Sequence, residues 1–259
     1  MTSRANQKNV LVIGKIRPDA LQLLKDHGDL NITMLTDPGA PIPVSLVEQS
    51  DAVLIRYGVL SQADIRGASR LRVVSRHGVG LDNLPLDALS ARGIAVTIVG
   101  PVTAVSVAEH TLAMLLSLLK KVGAYDQAVR TGNWSVRDTL AISEMAGRTL
   151  LLLGFGRIGN EVARRARAFD MRVLVHDPFV GDDVLAAASV VRVDDWRAAL
   201  DRVDVLSVHL PLTPATHNII DAGVLAAMKP TALLLNAARG GLVDEDALYC
   251  ALTTHMAAG

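Results

Sequence analysis

Thr149-Leu150-Leu151-Leu152-Leu153-Gly154-Phe155-Gly156-Arg157-Ile158-Gly159 is the stretch on which the reading of this 259-residue chain turns. An apolar run of strand length enters a glycine directly. From Ile158 onward, Val162, Ala166 and Phe169 recur at helical spacing. A strand, a Gly-x-Gly-x-x-Gly turn and a helix in that order have a physical purpose. Gly154 allows the tight turn, Gly156 lets a pyrophosphate approach the backbone, and Gly159 lets helix pack on strand. The helix N-terminus then offers N–H groups and a positive dipole end to the phosphates. A tight turn that binds nothing would share the glycines. It would not require an acid some 20 residues on, and Asp177 stands there, directly after the apolar run Arg172–His176. A carboxylate at that place accepts hydrogen bonds from a ribose 2′-hydroxyl and repels a 2′-phosphate. Pro178 and Phe179 follow with no arginine beside them in sequence, so NAD is expected over NADP.

Short β-branched or leucine-rich runs alternate with helical stretches on both sides of this core. Upstream the expected strands are 10–13, 32–35, 52–55, 71–75 and 94–97. Downstream they are 149–153, 172–176, 190–193, 205–209 and 232–236. Most are continuous apolar runs, as in parallel strands covered on both faces. The expected fold is therefore α/β, with two doubly wound parallel-sheet domains, residues 1–100 and 101–259, and the seam near Gly100-Pro101. Ser106 to Lys121 reads as a helix apolar nearly all round, buried between layers or against a second subunit. The polar stretch from Arg130 to Glu144 reads as a loop.

Composition narrows the function classes. Lys plus Arg and Asp plus Glu are 26 each, so no basic excess calls for nucleic acid or an anionic membrane. The polar N-terminus lacks a signal-peptide apolar stretch, and the run from Thr111 to Leu119 is too short to span a bilayer. A lone cysteine, Cys250, excludes an intramolecular disulfide and suits a reducing cytoplasm. No metal-ligand spacing is present.

Several blocks together resemble the D-isomer-specific 2-hydroxyacid dehydrogenase family, from about residue 50 onward. They are Arg76–Asn83, Ser106–His110, Gly147–Pro178, His209–Thr216 and Met228–Gly241. The resemblance implies a flavodoxin-like substrate domain followed by a Rossmann NAD-binding domain, and hydride transfer between nicotinamide and C2 of a 2-hydroxy or 2-oxo acid. It implies cofactor contacts from Gly154, Phe155, Gly156, Arg157, Ile158, Gly159 and Asp177. Further contacts are implied from Ser106, His209, Leu210, Pro211, Thr216, Ala237, Ala238 and Arg239. Arg239 would be catalytic, holding the substrate carboxylate and carbonyl with its fork of donors. Val79 and Gly80 would hold the carboxylate in a backbone anion nest, with Arg56 and His77 beside it and Arg76 a further candidate cation. Ser106 has an alternative reading as a helix N-cap, Asn83 as a brace for its own loop, and His110 as a capping or packing residue. A homodimer through the 106–121 helix is also implied.

The family places a catalytic Glu and then a His downstream of the arginine block. The sequence passes from Asp244-Glu245-Asp246 to His255 and Gly259 without that pair. The expectation is a nucleotide domain incomplete at its C-terminal edge, with turnover near background. His77 is the stand-in histidine to be tested. The alternative reading is an NAD-binding or dimerisation module that has lost turnover.

Overall fold

The computed structural model describes residues 7–37 and 39–254 and falls into two compact units, Met1–Pro101 and Val102–Gly259. His255 lies outside the described residues.

The first unit has strands β1 (Lys8–Ile13), β2 (Leu30–Leu35), β3 (Ala52–Ile55), β4 (Val73–Arg76) and β5 (Ala95–Ile98), with helices α1 (Pro18–Lys25), α2 (Val44–Glu48) and α3 (Leu86–Ala91). All its strand pairs are parallel and the order is β2-β1-β3-β4-β5. That is the flavodoxin-like order, whose topological switch point lies between β1 and β3. Leu11, Ile13, Val53, Ile55 and Val74 fill one face with Leu60, Ile65, Leu71 and Leu89. Val10, Val12 and Ile16 fill the other.

The second unit starts with α4 (Ala104–Lys120) and α5 (Val122–Thr131). It continues through β6 (Thr149–Leu153), α6 (Arg157–Ala168), β7 (Arg172–His176), α7 (Asp182–Ala187) and β8 (Val191–Arg192). It closes with β9 (Val205–Val208), α8 (Ala222–Ala227), β10 (Leu233–Asn236) and α9 (Glu245–Thr254). Its five parallel strands run β10-β9-β6-β7-β8. Numbered within the unit and read from β8, this is 3-2-1-4-5, the Rossmann order over five strands, with the switch point between β6 and β9.

The leucine run of β6 is explained by burial on both faces. Leu150 and Leu152 pack with Ala108, Leu112 and Leu115 of α4 and Val162 and Ala166 of α6. Leu151 and Leu153 pack with Leu200, Val224 and Leu225. All four are at most 1% exposed, and each such side chain contributes about 2 kcal/mol of transfer free energy.

Two local expectations are corrected. The stretch from Arg130 to Glu144 is not all loop: α5 runs through Thr131, and Trp134–Asp138 forms 3₁₀ turns. Short polar segments hide such turns because their apolar periodicity is weak. Helix α4 is not covered on every side within its unit. Ala104, Ala108, Thr111, Leu112, Leu115 and Leu119 are buried, and the helix packs on α6 and β10. Val105, Ser106, Glu109, His110, Ala113 and Ser117 are exposed. Among the described residues no helix is long and apolar enough to cross a membrane.

Candidate functional site

The glycine turn lies at the carboxyl end of β6, beside the end of β9, where open parallel sheets bind ligands. Gly154 has φ +95°, a conformation that L side chains rarely adopt, and a Cβ on it would lie 2.7 Å from the carbonyl oxygen of His209. A Cβ on Gly159 would strike the carbonyl oxygen of Gly154. Gly154 is therefore required by packing across the switch point, and Gly159 by the packing of α6 on its own turn. Gly156 differs. Its φ is −70°, and a Cβ there would meet nothing within 4 Å. The chain itself makes no demand for glycine at 156, so the open space at the mouth of α6 fits a group that is not part of the protein. The pyrophosphate of a dinucleotide fits that space and the dipole behind it.

Arg157 and Ile158 form the first turn of α6, and buried Phe155 directs its N–H to Asp177. Asp177 Oδ2 accepts from Phe155 N at 2.8 Å, and Oδ1 accepts from Phe179 N at 2.9 Å. Each carboxylate oxygen retains accepting capacity. The acid is thus held between the glycine turn and its own loop.

The expectation that no arginine stands near Asp177 is corrected. The register pairs Val175 with Arg192, and the Arg192 guanidinium donates to the Asp177 carbonyl at 3.2 Å. It also donates to the Val180 carbonyl and to Asp182. The fifteen residues separating 177 from 192 hid this neighbour; only the β7–β8 pairing reveals it.

His209 ends β9. Its Nε2 lies 2.9 Å from the Ser207 hydroxyl, and its Nδ1 is buried without a partner among the described residues. Burial pushes its pKa down to about 4, so the ring is neutral at pH 7. Leu210 is half-buried and Pro211 exposed. The Thr216 hydroxyl donates to the Pro211 carbonyl at 2.6 Å and accepts from Thr213 N at 2.8 Å, which locks the 211–216 loop.

After β10, Asn236 makes the turn that carries Ala237, Ala238 and Arg239. Its Nδ2 donates to the Arg239 carbonyl at 2.8 Å, and its Oδ1 accepts from Ala238 N at 3.0 Å. The half-buried Arg239 also donates from Nη1 to the Ala238 carbonyl at 2.8 Å. Sequence reasoning did not single out Asn236 as the brace of this turn. Ser106 is exposed within the first turn of α4, whose N-cap is Thr103, so Ser106 is not the cap.

In the first unit the strand ends hold a different set. Gly14 after β1 has φ +107°, and a Cβ there would lie 2.8 Å from the Cβ of Arg56. Arg56 donates to the Lys15 carbonyl at 2.6 Å, and Tyr57 Oη accepts from Lys15 N at 2.8 Å. Tyr57 carried no signal in the sequence. His77, Val79 and Gly80 follow β4, with His77 and Val79 exposed. Arg76, the further candidate cation, is tied into its own loop. Its guanidinium reaches the carbonyls of Ile55, Arg56, His77 and Gly80 and ties the loop together. Asn83 Nδ2 donates to the Gly58 carbonyl at 2.7 Å, a brace between two loops. Among the described residues no group of three or more His, Cys, Asp or Glu side chains could hold a metal ion.

A Rossmann-ordered sheet with a glycine cradle and a fastened acid defines a dinucleotide-binding fold. The family model for the D-isomer specific 2-hydroxyacid dehydrogenase NAD binding domain matches residues 112–259, and the chain belongs to that family. Its family cofactor is NAD. Relatives include D-3-phosphoglycerate dehydrogenase of Methanocaldococcus jannaschii, 35% identical over 245 residues, covering 94% of this chain and 46% of the relative. The enzyme of the same name from Mycobacterium tuberculosis is 38% identical over 247 residues, with the same coverages. Among solved structures, D-lactate dehydrogenase from Aquifex aeolicus, complexed with NAD and lactic acid, is 31% identical. Its TM-score is 0.87 over 96% of this chain and 74% of that one. The chain thus spans about half the length of the curated relatives it matches.

Proposed function

We propose that this chain binds NAD and serves the oxidation of a D-2-hydroxy acid, or the reverse reduction of a 2-oxo acid. The observation that carries the reading is the cradle between β6 and β9, where Gly156 lacks a side chain that the fold would admit. NAD, when bound, accepts or gives the hydride at its nicotinamide. Gly154, Phe155, Gly156, Arg157, Ile158 and Gly159 would line the pyrophosphate, and Asp177 would hold the adenosine ribose. His209, Leu210, Pro211 and Thr216 would form the adenine side, with Ser106, Ala237 and Ala238 nearer the nicotinamide.

Residues 1–100 would be the substrate domain and 101–259 the NAD-binding domain. Val79 and Gly80 would hold the substrate carboxylate, with Arg56 and His77 near it. Arg239 would stabilise the charge that grows on the ketone oxygen. Its own pKa is too high for it to supply the proton, so His77 is the residue to test for that role. The names of the relatives favour 3-phosphoglycerate as the first substrate to assay, and the lactate complex favours D-lactate as the second. The exposed apolar residues Val105, Val122 and Val129 on α4 and α5 support a homodimer through this region. Free Cys250 suits a cytoplasmic setting.

The test is calorimetric titration with NAD and NADP, followed by NADH oxidation with a panel of 2-oxo acids. Binding of NAD with turnover near background is the expected result, and any turnover above background is expected to disappear in Arg239→Ala. NAD binding with no turnover on any acid selects the module reading, and absence of NAD binding overturns both. Light scattering that showed a monomer at micromolar concentration would overturn the dimer.

A further inference from the structure

The contacts of Arg192 carry an inference that rests on the NAD reading and deepens it. Arg192 closes the loop from Asp177 to Asp182, donating to the carbonyls at both 177 and 180 and to the Asp182 carboxylate. Its side chain is 28% exposed and that of Asp182 is 85% exposed. The guanidinium therefore lies at the surface of the same turn whose Asp177 carboxylate faces Phe155 N and Phe179 N. It uses three of its five N–H donors there.

A cation in that position is the group a 2′-phosphate would seek, because a guanidinium fork matches phosphate oxygens. It is not presented as one. Asp182 neutralises it directly, and Asp183 follows in the first turn of α7. A 2′-phosphate entering beside Arg192 would meet Asp177 and Asp182 next to a guanidinium already engaged.

We infer that Asp182 masks Arg192, and that this pair is a second determinant of cofactor choice, acting alongside Asp177 against the 2′-phosphate of NADP. Asp177 discriminates by repulsion. The Arg192–Asp182 pair discriminates by withholding a cation while still using it to fix the loop.

The test is calorimetric titration of NAD and NADP on the 259-residue chain and on Asp182→Asn, Arg192→Leu and the double variant. Asp182 is a surface residue, so Asp182→Asn keeps the fold, as an unchanged melting temperature verifies. NADP is expected to bind at least five-fold tighter to Asp182→Asn, with NAD affinity changed by less than two-fold. The gain is expected to vanish in the double variant. Should Arg192→Leu lower the melting temperature by many degrees, Arg192→Gln takes its place, since it is uncharged and keeps a donor about where Arg192 Nε stands. NADP affinity unchanged in Asp182→Asn while NAD still binds overturns this inference alone. A gain that persists without Arg192 also overturns it, because simple removal of negative charge then explains the effect. A parent chain that binds neither dinucleotide overturns the NAD reading and this inference together.

Discussion

The two sheets share a plan at one end and part company at the other. At their amino ends each has an aspartate just before the strand that lies across the switch point from the unit's first strand. Asp51 precedes β3 and accepts from Asn9 N at 2.8 Å, with Arg70 at 3.0 Å. Asp204 precedes β9 and accepts from Thr149 N at 2.8 Å, with Lys229 at 2.9 Å. Burial raises the pKa of each, but the amide and cation outweigh it, so both carboxyls sit below the ordinary value. At their carboxyl ends the switch points differ. One holds Gly14, Arg56 and Tyr57; the other holds the glycine cradle, His209 and Asp177. Structural needs of a parallel sheet are met alike at the amino ends, whereas the carboxyl ends diverge because ligands bind there.

An arginine clamp is nevertheless common to both. Arg76 closes β4 and Arg192 closes β8, and each spends its guanidinium on loop carbonyls. In each unit a strand-end cation shapes a loop of the candidate site.

The largest expected effect separates the two positive-φ glycines that follow the first strand of each unit, Gly14 and Gly154. Gly154→Ala should cost about 3 kcal/mol in urea unfolding, from backbone strain and the His209 carbonyl contact, and should abolish NAD binding. Gly14→Ala carries comparable strain and should leave NAD affinity within two-fold. Equal loss of NAD binding in both would break the comparison.

Next come the amino-end aspartates. Asp51→Asn and Asp204→Asn should each cost about 2 kcal/mol, by weakening an amide hydrogen bond and leaving a cation without its partner. Matched losses in denaturant melts sharpen the comparison; a loss in only one unit refutes the shared device.

A smaller effect with a clear sign comes from His209. Its folded pKa of about 4 lies below the unfolded value near 6.5, so the unfolded chain binds the extra proton as pH falls. Stability at this site is held above about pH 6.5 and drains away down to about pH 4. The expected loss between pH 7 and pH 5 is about 2 kcal/mol. His209→Gln should flatten the slope in that window, and a slope unchanged by the substitution would contradict the assignment.

Much of this was legible in the sequence because the inner strands of both units, β1 and β3 in one and β6, β7 and β9 in the other, are largely buried. Such burial leaves continuous apolar runs with sharp ends, and the expected spans 52–55, 149–153 and 172–176 coincide with β3, β6 and β7. The glycine turn and Asp177 were legible because their spacing is a local constraint of one strand–turn–helix unit. Strand order was not, since it depends on which crossovers pack together. Arg192 was hidden for the same reason, its partnership with Asp177 arising only from strand register. The loop contacts of Arg76 were hidden because sequence reports a cation and not where its donors point. Tyr57 and Asn236 gave no signal because single polar residues after strands are common.

The central claim is that the open space at Gly156 receives a dinucleotide pyrophosphate. It is tested most directly by Gly156→Ala, titrated with NAD by calorimetry after its melting temperature is recorded without cofactor. The new methyl group meets nothing of the chain within 4 Å. The account predicts an unchanged melting temperature and NAD binding weakened at least ten-fold. Unaltered NAD affinity in the folded variant would contradict it.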